Sequence, residues 1–188
     1  MSILIDLTEN NDIANIKRWI KLNLDLDMVG TRGWTALMIA AYYNYKEIAF
    51  MLIDAGCNLD SLREYSISAL MHACWNGNHK IAIRLIEAGC DLNIKNFHGE
   101  TALMIACEYN QKKIVFKLIE AGCDLEIKDE FMLTEEMKLV IKKAIERRNF
   151  LKTLMGKTVK LVQDNPKKFN TEHIRCLPKD IRKQFTKN

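Results

Sequence analysis

The chain has 188 residues, 48% hydrophobic and 28% charged, which suits one globular domain with a short appendage. No apolar run reaches the roughly 18 residues of a membrane helix, and Met1-Ser2-Ile3-Leu4-Ile5-Asp6 lacks the basic flank and long apolar stretch of a secretory leader. Net charge is +4, but residues 147–188 hold 12 Lys/Arg against 3 Asp/Glu, so the remainder is acidic, net −5. An acidic body and a basic tail are therefore expected, and Pro166 and Pro178, the chain's two prolines, both fall in the tail. The expected location is the cytoplasm, with the nucleus or the interior of a host cell as alternatives.

Taken in chain order, Ile3 to Leu7, Ile13 to Ile20 and Leu24-Asp25-Leu26-Asp27 form a first, degenerate unit over residues 1–29. Three segments then align without gaps: GWTALMIAA from Gly33, SISALMHAC from Ser66 and GETALMIAC from Gly99, a period of 33 residues. The second halves keep the register at Leu52 to Cys57, Leu85 to Cys90 and Leu118 to Cys123. A fixed period of this size signifies stacked supersecondary units, none of which buries its apolar face alone.

The unit can be built from its residues. Thr35, Ser68 and Thr101 stand where a hydroxyl caps a new helix. Apolar residues follow at helical spacing, with small alanines that allow close helix approach. A polar break such as Asn76-Gly77-Asn78 precedes a second helix from Ile81 to Ala88, which Gly89 ends. The segment from Cys90 to Asn96 then crosses to the next unit as an extended turn. Past residue 128, Thr134-Glu135-Glu136 reads as a capped helix start, and Met137, Val140, Ile141, Ala144 and Ile145 as an apolar stripe. This predicts a closing unit over 129–155 and a basic helical tail over 156–188.

Reactive residues have a packing explanation. Cys57, Cys90 and Cys123 recur at intervals of 33, as do Cys74 and Cys107. Cysteines at one place in successive units read as small buried hydrophobes, and no C-x-x-C pair offers a zinc site. His72 occupies the position of Ile39 and Ile105 in the sister units and reads as a packing residue. No Ser/His/Asp or Cys/His set and no glycine-rich phosphate loop stands out, so neither an enzyme nor a cofactor is expected.

With its 33-residue period and TALMIA segments, the chain resembles the ankyrin family, whose signature is T-P-L-H-x-A. Here Ala36, Ala69 and Ala102 replace the signature proline, and Met38, Met71 and Met104 its histidine. The wording is also similar to that of ankyrin proteins in giant DNA viruses and protists. The resemblance implies an all-α solenoid of helix-turn-helix units with short β-turn fingers, in repeats 1–29, 30–62, 63–95 and 96–128. It implies partner contact at the finger tips and the exposed face of each first helix. Carried onto this sequence, those positions are Thr31, Arg32, Trp34, Tyr42 and Tyr43, then Glu64, Tyr65, Ile67 and Trp75. The next are Phe97, His98, Glu100, Glu108 and Tyr109, with Glu130 and Phe131 in the cap. Eight of these sixteen residues are aromatic, against 8% of the chain, and aromatic side chains dominate binding hot spots.

The tail resembles a suppressor-of-cytokine-signalling box. Leu151, Leu154 and Val159 match its elongin-binding helix, and Leu177, Pro178, Ile181 and Phe185 its cullin-contacting segment, while Met155 stands where a small cysteine belongs. A pair of helices that only caps the stack, and an F-box-like or nucleic-acid contact, are the other readings. Nucleic acid is not favoured, because no recognition helix or stacking pattern accompanies the basic residues. The sequence therefore predicts a monomeric, non-catalytic scaffold that binds a protein through finger tips and the concave helix face. The alternative is a substrate adaptor that joins elongin B/C and a cullin. Neither a small-molecule substrate nor a membrane is expected.

Overall fold

A computed structural model describes residues 3–30, 33–62, 65–126 and 133–164, the last with side chains omitted at 158, 159 and 161–164. Four helix pairs follow one another: α1 (Ile3–Glu9) with α2 (Ile13–Lys21), α3 (Ala36–Tyr43) with α4 (Lys46–Asp54), α5 (Ala69–Trp75) with α6 (His79–Ala88), and α7 (Ala102–Glu108) with α8 (Lys112–Ala121). A 30-residue helix, α9 (Glu135–Asp164), comes last and continues across residue 155. The chain forms two compact units, residues 1–144 and 145–188.

Within the first unit the helices lie in two rows. Along one row α1 packs on α3, α3 on α5 and α5 on α7; along the other α2 packs on α4, α4 on α6 and α6 on α8. Local chemistry sets each start. The hydroxyls of Thr35, Ser68, Thr101 and Thr134 accept from the N–H groups of Met38, Met71, Met104 and Met137 at 3.3, 3.3, 3.4 and 3.2 Å. These are the caps expected from the sequence. At the other end Gly89 takes φ +87° and turns α6 into the loop, a conformation that a Cβ would strain.

The core is a lattice of equivalent positions. Ile48, Ile81 and Ile114 are fully buried, as are Leu52, Leu85 and Leu118, one turn later in the same helices. In the other row Ala36, Ala40, Ala41, Ala73 and Ala106 are buried to 1% exposure or less, so neighbouring backbones approach closely. All five described cysteines are buried. Between helices α2 and α3, Val29 and Thr35 pair as an isolated antiparallel bridge.

The crossing from Cys90 to Asn96 is more than an extended turn. Asp27 Oδ1 accepts from the N–H of Asn58 at 2.8 Å, Asp60 Oδ1 from Asp91 at 2.9 Å, and Asn93 Oδ1 from Asp124 at 2.8 Å. Within each crossing Asp25, Asn58 and Asp91 in turn accept from the N–H two residues on, at 2.9, 3.0 and 2.9 Å. Short carboxylate and amide side chains thus satisfy loop donors and tie each unit to the next. Surface ion pairs span the same steps at Asp54–Arg84 and Glu87–Lys117, where solvent makes them worth little.

Two substitutions should separate the two kinds of tie. Leu85→Ala opens a cavity in the lattice and is expected to cost about 2–5 kcal/mol, while Asn93→Ala removes one partly solvated acceptor and should cost about 1 kcal/mol. Urea denaturation of both variants checks the order; equal losses would mean that the ladder is as important as the core.

Candidate protein-binding face

Aromatic side chains collect at the ends of α3, α5 and α7, the first helices of their pairs, hereafter the inner helices. Tyr42 and Tyr43 close α3, Trp75 closes α5, and Tyr109 caps α7. They are 41%, 53%, 47% and 40% exposed, so each is part packing and part surface. The core positions beside them hold alanine, cysteine and isoleucine, and in α5 also His72.

The rings form two clusters. In the first, Trp34 meets Tyr42 edge-on at 5.3 Å, and Tyr42 meets Tyr43 edge-on at 4.9 Å. Tyr43 then stacks on Tyr45 at 5.6 Å. His72 lies behind, 4.5 Å from the Trp34 ring and 5.6 Å from that of Tyr42. In the second, Trp75 and Tyr109 lie 5.5 Å apart with ring planes 35° from parallel. Trp34 is half-buried and held from the backbone side, where Gly30 N–H donates to its carbonyl at 3.0 Å.

Ile5, Glu9, Gly30, Trp34, Ile39, Tyr42 and Tyr43 line a pocket of about 220 Å³. Four of these positions were not anticipated. Ile5 and Glu9 belong to the degenerate first unit, where no aligned motif fixed the register, Gly30 sits at the seam just ahead of the aligned segment of the second repeat, and Ile39 counts as core from its spacing. Tyr45 was also missed, because it caps the second helix of its pair rather than extending the first.

The remaining expected contacts are more scattered. Tyr65 and Phe97 are highly exposed, at 67% and 78%, and the fingers that carry them are joined by Phe97 N–H donating to the Tyr65 carbonyl at 2.8 Å. His98 and Glu108 are exposed, while Ile67 and Glu100 are half-buried. Glu100 is engaged by Asn96, whose amide donates to its carboxylate at 2.8 Å. Thr31, Arg32, Glu64, Glu130, Phe131, Leu177, Pro178, Ile181 and Phe185 lie outside the described residues. On α9, Leu151 and Met155 are half-buried and Leu154 is 50% exposed; Val159 lies in the helix, its side chain outside the description.

Electrostatics disfavour covalent chemistry at the cysteines. Burial, with a smaller effect of nearby aspartates, pushes the Cys57 and Cys90 thiols up to about 12, and burial pushes Cys107 up to about 11. Burial raises Cys74 as well. Such thiols stay protonated at neutral pH and are poor nucleophiles. No cluster of three His, Cys, Asp or Glu residues suited to a metal occurs among the described residues. Nor is any described helix long and apolar enough to cross a membrane.

A family model for ankyrin repeats, in three copies, matches residues 3–96 and again 55–129. Those spans cover more than half of the chain, and the chain belongs to the ankyrin-repeat family. Repeats of this family are protein–protein interaction modules and generally non-catalytic. A search of curated proteins finds no match.

His72 gives the face a measurable pH signature. Burial holds its imidazole down at about 4, against an ordinary 6.5, so the folded protein keeps it neutral while the unfolded chain takes up a proton. Its contribution is complete above the unfolded value and is lost as pH falls toward the folded one. Stability should fall by about 2 kcal/mol between pH 6.5 and pH 5 from this group. In His72→Ile, which installs the residue of the sister repeats, that loss should vanish from urea unfolding curves. An unchanged slope in the variant would remove His72 as its source.

Proposed function

We propose that the protein is a non-catalytic scaffold that captures a protein partner on the inner-helix face between the second and fourth repeats. The observation that carries this reading is the pair of aromatic clusters, Trp34–Tyr42–Tyr43 and Trp75–Tyr109, left half in solvent beside a filled core. Rings held in place by neighbouring rings lose little freedom on binding, which makes them efficient anchors. Glu108 beside Tyr109, and exposed His98 and Phe97 on the adjoining finger, extend the surface with polar and apolar groups. A partner that offers cationic and apolar side chains suits it best.

The double variant Trp75→Ala/Tyr109→Ala is expected to weaken partner capture from lysate by about 30-fold or more, the loss of one hot spot. Folding stability should fall by about 1–3 kcal/mol, the cost of truncating two half-buried rings that pack on each other, so urea denaturation must show the variant folded. Undiminished capture by a folded double variant would eliminate this face.

A second reading, that of a ligase adaptor, is favoured by helix α9. Its Phe150 and Leu154 are 65% and 50% exposed, one turn apart and beside half-buried Leu151 and Met155, an apolar stripe suited to a partner such as elongin. Met155 is bulkier than the cysteine of the box that this segment resembles. If the adaptor reading holds, pull-down of elongin B/C by the full chain should increase in Met155→Cys. Recovery of nothing by either protein would leave α9 without that role.

A further inference from the structure

Resting on the inner-helix face as the partner surface, we propose that the corner between the first and second repeats is a subsite for one alkylammonium side chain, a lysine or methylated lysine of the partner polypeptide. Size narrows the choice first. At about 220 Å³ the pocket exceeds the ~150 Å³ that admits a benzene-sized group and falls short of the ~300 Å³ at which small-molecule sites begin. It holds one side-chain terminus rather than a cofactor.

The walls select the charge. The ring planes of Trp34 and Tyr42 meet at 73° and those of Tyr42 and Tyr43 at 82°, so the three aromatics make a corner and not a slot. The π faces of Trp and Tyr attract a cation within about 6 Å of the ring centre. A compact, tetrahedral ammonium can meet two walls of a corner at once, whereas a planar guanidinium is best stacked along one face. Glu9 is the charged residue in the lining, and it carries the complementary sign. The lining also includes Ile5 and Ile39, apolar surface against which the methylene stem of a lysine can lie.

The surroundings preserve this arrangement. A side chain at Gly30 would place its Cβ 3.0 Å from Ile5 Cγ2, so the bare backbone of residue 30 keeps this side of the pocket close to Ile5. His72 backs the Trp34 ring at 4.5 Å, and its neutral imidazole puts no competing cation behind the wall at neutral pH. Beyond the pocket, the residues outside 147–188 sum to net −5 against +9 within 147–188, so the acidic charge belongs to the part of the chain that carries the pocket.

The test is an NMR titration of the full chain, following the Trp34 indole N–H, with acetylated and amidated pentapeptides Gly-Gly-X-Gly-Gly. X is lysine, trimethyl-lysine, arginine or leucine. The lysine and trimethyl-lysine peptides should shift the Trp34 signal saturably, arginine more weakly, and leucine not at all. Glu9→Gln should weaken lysine-peptide binding by about two- to fivefold, and Tyr43→Ala by a similar factor, with the spectrum otherwise that of the folded protein. Leucine binding as well as lysine would make the pocket merely apolar, and tighter arginine binding would make it a guanidinium stack; either result overturns the assignment, as does a silent Trp34. Partner capture separates the two levels. If Trp75→Ala/Tyr109→Ala abolishes capture while no peptide moves Trp34, the face stands and the subsite falls. If capture survives the double variant while the lysine peptide still binds, the face reading fails and the subsite remains.

Discussion

Every helix pair in this protein has two sides to cover and has only its neighbours to cover them. That constraint organises the rest. The identical burial of Ile48, Ile81 and Ile114, and of Leu52, Leu85 and Leu118, shows one packing solution applied at each step. Alanines in the inner row bring the backbones together, so the units stack at a constant spacing. Because packing repeats, the surface repeats too, and residues at one register stand in rows along the face.

The rows explain why aromatics gather where they do. A ring is too large for positions that must be Ala36, Ala40 or Cys74, and it moves to the last turn of the helix or the base of the finger. There it finds other rings from the adjoining repeat, as Trp75 finds Tyr109. His72 is the exception that enters the core. It replaces isoleucine in an otherwise apolar position, remains 6% exposed, and supports Trp34 from behind at the cost of being held neutral.

The fingers obey a different economy. Their large side chains, Tyr65 and Phe97, face solvent, and the crossings are held by the ladder of Asp27, Asp60 and Asn93 side chains that accept from the following repeat. Each bond is modest because it is exposed to solvent, but together they hold successive crossings in register. The result is a surface whose helix face is rigid through packing and whose fingers are registered through hydrogen bonds.

Much of this was legible in the chain alone. The 33-residue period located the helix pairs, the hydroxyl caps and the buried cysteines, because each follows from local chemistry repeated in sequence. The exposure of Tyr42, Tyr43, Trp75 and Tyr109 followed from the same register, and it required the family resemblance to say which side faces solvent. The ladder was not legible: a short polar side chain in a loop has many local partners, and only the neighbouring crossing decides which donor it reaches. Nor was the corner at Trp34, since Ile5 and Glu9 lie in a unit with no motif to set its phase and Gly30 lies at its seam with the next. The sequence by itself determined the repeat, its caps and its core, because these depend on spacing within one unit. Tertiary structure alone decided which rings meet and where a pocket opens, because those depend on the distance between units, which spacing along the chain does not encode.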